Sequence, residues 1–252
     1  MIARPVRALS SLVAVLLAAA CTNSFEIPIE TPIRPKLDVA AFQRVLVAGF
    51  IAGGTEDVDG NLETTRLLRS QLRTKSQLRV IDSDVLPLVD VASEGRESDG
   101  AAAPPAPAPI KEEKDLEAYE HVFANVEYWK KIGEEYQQPL IVTGTVMFTP
   151  LQRNSIVQRE QEVYDSFGRR RVVPVRTYME RKGFSLDGRF IFIDGRSGAT
   201  LHSESFGEQI LYNANQTTPA LSSYFELMDR LIPTFLSTLS SQKIKGTRIL
   251  LQ

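Results

Sequence analysis

The sequence predicts an α/β domain of the mixed, α+β kind: a mixed β-sheet, about three packing helices and C-terminal antiparallel hairpins. Three observations lead there. Residues 43–82 read strand, helix, strand, the order of a crossover unit with parallel strands. After Phe148 the pattern changes to strand-length segments joined by short turns. Residues 219–240 carry apolar side chains at helical spacing.

Taken in order, Gln43–Phe50 (QRVLVAGF) is an apolar run ending in a Gly-containing loop, hence the first strand. Leu62–Gln77 places Leu62, Leu67, Leu68 and Leu72 on one helical face, with Asn61 offered as N-cap. Leu78–Asp82 is a second strand. Ser93–Glu112 contains AAAPPAPAPI without apolar periodicity, cannot offset its ordering entropy, and is expected to be a disordered insertion. Asp115–Tyr136 repeats Leu116, Tyr119, Phe123, Val126 and Trp129 or Ile132 at helical spacing, so its aromatics are expected in the core. Pro139–Phe148 (PLIVTGTVMF) is apolar at nearly every position, the mark of a central strand. Ser155–Asp165, Arg171–Arg181, Phe184–Asp194 and Thr200–Leu211 read as four strands, turned at Ser166–Gly168 and Gly195–Gly198. Pro219–Ser240 is a helix whose stripe runs Leu221, Tyr224/Phe225, Met228, Leu231/Ile232, Phe235 and Leu239, kinked at Pro233. Lys243–Gln252 is expected to end in a short strand.

Composition bounds the class. In 252 residues, 24% are charged and 43% hydrophobic, ordinary for a folded soluble domain. The formal charge of −2 gives no global basic surface, so no nucleic acid partner is expected. One cysteine and two histidines exclude an intramolecular disulfide and leave little for a metal or catalytic centre. The Gly49–Asn61 loop lacks the Gly-Lys-Ser/Thr ending of a phosphate loop. Its Asp57, Asp59 and Asn61 lack the Gly and Glu positions of an EF-hand. There is no H-E-x-x-H and no G-x-S-x-G around His121 or His202. The expectation is no catalytic residue, no metal and no cofactor.

The N-terminus carries an address. Arg4 and Arg7 precede the uncharged 13-residue run Ala8–Ala20, too short to span a membrane comfortably but suited to a secretory signal. Leu17-Ala18-Ala19-Ala20 then leads directly into Cys21, the sole cysteine. This resembles the lipobox of bacterial lipoproteins, with Ala18 standing where that family usually has Leu. The resemblance implies cleavage before Cys21, fatty acylation (palmitate among the acyl groups) and anchoring by three chains. Acyl chains contribute about 0.8 kcal/mol per buried CH₂. Thr22 in place of Asp implies, by the same resemblance, transport to the outer membrane, facing the periplasm. The domain plan is then a signal peptide over 1–20, an extended Pro-containing tether over 21–42, and one globular domain over 43–252.

Within that domain, Val47–Phe50, Val80–Asp82, Val142–Val146 and Asp194–Gly198 occupy the places of short strand-end and turn motifs. In these the chain resembles the CsgG/LpoB-like group of bacterial envelope lipoproteins, whose domain is also like the N-terminal domain of TolB. The group implies a non-enzymatic accessory or scaffold in envelope assembly, secretion or peptidoglycan synthesis. A CsgG-like oligomeric secretion pore is the alternative and a periplasmic hydrolase ranks below it. Homo-oligomerisation stays open.

One charge asymmetry stands out. Arg169, Arg170, Arg171, Arg176, Arg181, Lys182 and Arg189 face only Glu180 and Asp187 over 166–189. Such a segment marks an anionic partner, an acidic protein patch or a charged envelope component. The competing reading is edge protection, in which Lys and Arg discourage sheet-to-sheet pairing.

Overall fold

The computed structural model describes residues 24–97, 109–213, 216 and 218–251. The chain divides into two units, one drawn from Met1–Pro35 and Ser241–Gln252, the other Lys36–Ser240.

The larger unit is built on a five-stranded sheet. Its strands are β2 (Arg44–Gly54), β3 (Arg79–Val80), β4 (Leu140–Tyr164), β5 (Arg170–Asp194) and β6 (Thr200–Asn213), in the order β3-β2-β4-β5-β6. β2 runs parallel to β3 and β4, while β4–β5 and β5–β6 are antiparallel. The crossover reading of 43–82 and the central place of Pro139–Phe148 both hold. β3, however, keeps only two ladder residues of the five expected.

Helices cover both sheet faces. On one side lie α1 (Gly60–Lys75) and α6 (Ala220–Leu239), whose Leu68, Leu72, Tyr224, Met228 and Phe235 pack with Val45, Val142, Phe148 and Phe192. On the other lie α2 (Leu88–Glu97), α3 (Glu113–Glu117), α4 (Glu120–Ala124) and α5 (Val126–Glu135), covering Leu46, Ile51, Ile141 and Ile191. Alternation along β4 assigns Val142, Val146 and Phe148 to the first core and Ile141 and Met147 to the second. In β2 the parity changes: Val45 and Val47 share a face with Phe50, because the ladder slips between Val47 and Gly49. A bulge adds one residue there and reverses which side chains face which core. Thr143 Oγ1 donates to Gly49 O at 2.8 Å, and Arg69 Nη2 donates to Val47 O at 2.7 Å.

Several sequence readings shift. α1 begins two residues early, capped by Asp59, whose Oδ1 accepts from Leu62 N at 3.0 Å. Asn61 is not the cap; its Oδ1 accepts from Phe50 N at 2.7 Å and ties the first turn of α1 to β2. The single helix expected over 115–136 is three short ones. Asn125 caps α5 through Tyr128 N at 3.0 Å, and Trp129 Nε1 donates to Val122 O at 2.8 Å, satisfying a carbonyl at the break. Trp129 and Phe123 are buried as expected, but Val126 is exposed. Part of the expected insertion is ordered structure: residues 93–97 belong to α2, Ile110 is buried and Glu112 caps α3. The remainder, 98–108, lies outside the described residues. Pro233 lies inside α6, and Leu221 is exposed rather than part of the stripe.

The smaller unit corrects the tether. β1 (Ser24–Ile33) is extended as expected but pairs antiparallel with β7 (Gln242–Leu251) along its whole length. The fold class stands, and the core of the chain lies in Lys36–Ser240. The signal segment and Cys21 lie outside the described residues.

Candidate functional site

The main departure from the expected strand plan positions the candidate site. Pro139–Phe148 and Ser155–Asp165 belong to one strand, β4, and Arg171–Arg181 and Phe184–Asp194 to another, β5. Their ladder is continuous from Leu140↔Asp194 to Tyr164↔Arg170. β6 pairs with β5 only from Arg181 inward, so Asn154–Glu180 is a two-stranded arm whose edges meet no other strand among the described residues, with the Arg153–Arg181 pair at its root. At its base Phe148 and Phe184 stack with ring centroids 4.8 Å apart, and Phe148 meets Tyr224 edge-on at 5.1 Å.

The tip is a short loop closed by Asp165. Gly168 N donates to Asp165 O at 2.9 Å and Asp165 N to Arg169 O at 3.1 Å, with Gly168 at φ 73°. This is a turn followed by a left-handed residue, the three-residue hairpin loop that favours Gly. The Asp165 carboxylate also accepts from Phe167 N and Arg169 N, each at 2.9 Å. The backbone bond from Arg169, with help from Phe167 and the Arg169 side chain, holds its pKa below the ordinary carboxylate range against an opposing desolvation.

The register sorts the basic residues by what they touch. Arg169 is spent at the tip, its Nε 3.0 Å from Asp165 and its guanidinium over the Phe167 ring at 5.4 Å. Arg171 lies 3.9 Å from Asp165, Arg170 lies 3.2 Å from Glu162, and Lys182 lies 3.4 Å from Glu180. Arg176 and Arg181 have no ion pair among the described residues. Arg189 does not belong to the arm. It pairs with Thr145 inside the sheet, contacts Glu120 at 2.7 Å, and lines a groove of about 860 Å³ beside α3.

Two residues escaped sequence reasoning. Arg153 stands directly opposite Arg181, and alternation puts both on the face that also holds Arg159 and Arg171. Among the described residues neither Arg153 nor Arg159 has an ion pair. Like charges directly opposite one another are destabilising. The arm also exposes apolar side chains: Ile156 (73%) opposite Tyr178 (63%), with Tyr164, Phe167 and Val172 nearer the tip. A solvated structural hairpin needs neither a facing arginine pair nor an exposed Ile–Tyr pair. An acceptor of negative charge with some apolar surface uses both.

No protein-family model matches the chain, and no curated protein matches it either. Among solved structures it is similar to lipoprotein GNA1162 from Neisseria meningitidis at 12% identity and TM-score 0.34, over 77% of this chain and 97% of that one. It is also similar to a PelC dodecamer from Paraburkholderia phytofirmans, at 15% identity and TM-score 0.34, over 85% and 98% of the two chains. The LpoB C-terminal domain from Salmonella enterica overlaps 69% of this chain and 89% of its own, at 9% identity and TM-score 0.35. At these levels the likeness specifies neither a family nor an activity, and the site rests on its own residues.

The remaining candidates lie apart from the arm. His121 approaches Ala118 O at 3.0 Å and Ala92 O at 3.2 Å through its two ring nitrogens. His202 Nε2 is 3.7 Å from Glu204. Burial works to raise the Glu204 carboxyl, but hydrogen bonds from Lys36 and Thr238 outweigh it and hold the group low. Asp57 accepts from Thr55 Oγ1 at 2.9 Å, so the acidic loop is held by its own turn and by the Asp59 cap. Among the described residues no cluster of three His, Cys, Asp or Glu is placed to hold a metal, and no helix is long and apolar enough to cross a membrane.

Proposed function

We propose that this chain is a lipid-anchored accessory protein of the bacterial envelope, held at the outer membrane through Cys21. Its arm captures an anionic partner and it performs no catalysis. The observation that carries the reading is the row Arg153, Arg181 and Arg159 on one face of the arm and its root, with Arg176 on the other, all without carboxylate partners among the described residues. Arg153 directly opposite Arg181 is a repulsive pair, and an anion placed between the two guanidiniums removes that repulsion. An acidic protein patch fits best, because exposed Ile156 and Tyr178, on the face opposite the Arg153–Arg181 row and shared with Arg176, add apolar contact there.

The pore alternative finds less support. Both faces of the arm are interrupted at mid-length, one by Arg159 and Gln161, the other by Gln158, Glu160 and Glu162. A lipid-facing strand needs an unbroken apolar face over roughly ten residues.

The test is Arg153→Glu/Arg159→Glu in the lipidated full chain. Association with envelope proteins, followed by crosslinking and mass spectrometry, should fall mainly through a slower on-rate and become less salt-sensitive. Unchanged capture by soluble mutant protein returns the arginines to edge protection. The anchor is tested separately: Cys21→Ala should abolish labelling by a fatty-acid analogue and release the protein from the membrane fraction.

A further inference from the structure

The paired ends β1 and β7 form an amphipathic ribbon. Alternation places Ile27, Ile29, Thr31 and Ile33 on one face of β1 and Glu26, Pro28, Glu30 and Pro32 on the other. On the polar face Glu30 holds Lys243 at 3.1 Å and Lys245 at 3.9 Å. On the apolar face Ile27, Ile29 and Ile33 are 44%, 40% and 44% exposed. Ile29 lies opposite Gly246, where an added Cβ would meet nothing within 4 Å, so this face is open. Arg248, opposite Ile27, shares it. Ile249 departs from the pattern, lying on the polar face and 59% exposed.

A two-stranded ribbon cannot bury its own apolar face and is at best marginal in water. Its isoleucines keep a large exposed share and offer an apolar strip to a neighbouring surface. We infer that the β1/β7 ribbon lies flat on the lipid bilayer, Ile27, Ile29 and Ile33 inserted at the headgroup boundary and Arg248 on a lipid phosphate.

The inference rests on the anchoring of Cys21 proposed above. The N-terminal segment outside the described residues ends at 23, so only five residues separate Cys21 from Ile27, a reach of at most about 22 Å. An acylated Cys21 therefore keeps β1 within reach of the bilayer whatever else the protein binds. The chemistry suits that neighbour. Isoleucines spaced along one face insert shallowly, as in interfacial amphipathic segments. The Arg248 stem can lie along Ile27 while its guanidinium reaches a phosphate. The Glu30–Lys243–Lys245 cluster then faces water. β1 acts as a footing that fixes where the chain leaves the membrane, in place of a free tether.

Acylation caps Cys21, so an introduced cysteine is the only free thiol in the mature chain. The full lipidated protein carrying Ile29→Cys or Glu30→Cys is labelled with an environment-sensitive fluorophore. It is then reconstituted in vesicles of phosphatidylcholine and phosphatidylglycerol containing a lipid-borne quencher. The label at Ile29→Cys should shift to the blue and be quenched several-fold more than the label at Glu30→Cys. Equal, weak quenching at both sites in vesicle-bound protein overturns the ribbon placement and leaves the anchor intact. Labelling of the wild-type chain shows a free Cys21 and overturns the anchor together with the placement. A blue shift at Ile29→Cys without lipid quenching means a second copy covers the face, and also overturns it.

Discussion

β4 and β5 pass through two environments without a break in their ladder. From Leu140 to Phe148, and from Phe190 to Ile193, every residue is buried between helices on both faces. From Pro150 outward the same strands carry Gln, Arg, Glu and isolated apolar residues, nearly all exposed. The difference teaches what continuity of pairing does and does not require. Backbone hydrogen bonds carry the register across both halves, but only the inner half is held by side-chain burial. An isolated hairpin is marginal in water. The arm persists because it extends a sheet whose other end is buried, and because Asp165 closes its tip. Freed from packing, its side chains can serve recognition.

That contrast can be broken most severely from within. Phe190 packs against Phe206 at 4.4 Å and Phe235 at 5.0 Å, so Phe190→Ala should cost about 3–5 kcal/mol, whereas Tyr178→Ala in the arm should cost under about 0.5 kcal/mol. Urea unfolding of the two variants checks it; similar losses would mean the arm is part of the core.

A smaller but still disruptive effect is expected at Gly144. Its φ is 150°, and an added Cβ would sit 1.8 Å from Arg189 O across the ladder. Gly144→Ala should therefore cost about 1–3 kcal/mol or more and perturb the β4–β5 pairing, read as loss of amide protection in both strands.

Arg153→Glu should act in the opposite direction. It replaces a facing like-charge pair with an opposite one against Arg181, and should stabilise the fold by about 0.2–1 kcal/mol while lowering partner capture. Gain of stability together with loss of binding separates a functional arginine from a structural one; a loss of stability would remove that distinction.

The mildest effect belongs to the tip. The Asp165 carboxyl is held low in the folded protein, so its contribution is fully present above the ordinary carboxylate range. It is lost as pH falls through the depressed value. NMR signals of Phe167 and Arg169 should move only in strongly acidic solution, with the global fold unchanged. Asp165→Asn should keep the shifts constant across that range.

Much of this architecture was legible because it is written in local pattern. The apolar run 139–148 announces a strand buried on both faces, and the 219–240 stripe announces a helix on the sheet, since burial period follows backbone geometry. The breaks expected between Phe148 and Ser155 and between Arg181 and Phe184 do not occur, for a physical reason. Segments such as QREQE and RRR lack the apolar content that marks a buried strand, yet the ladder continues through them because backbone pairing needs no burial. The helix break at Asn125 was missed because Leu116, Phe123 and Trp129 keep a near-helical spacing across it. The bond from Trp129 Nε1 to Val122 O that stabilises the break has no signature in composition.

For the candidate site, the sequence by itself determined that arginines crowd 169–181 and that the sole cysteine follows an apolar run at a lipobox-like place. Both are properties of neighbours along the chain. Strand register sets which arginines are engaged and which have no ion pair among the described residues. It removed Arg189 to the sheet, committed Arg169 to Asp165 and Phe167, and brought Arg153 and Arg159 from another strand to the same face. It likewise joined the two ends of the chain as β1 and β7. Residues far apart in sequence become neighbours through strand register, and a one-residue slip in register would move every side chain to the opposite face.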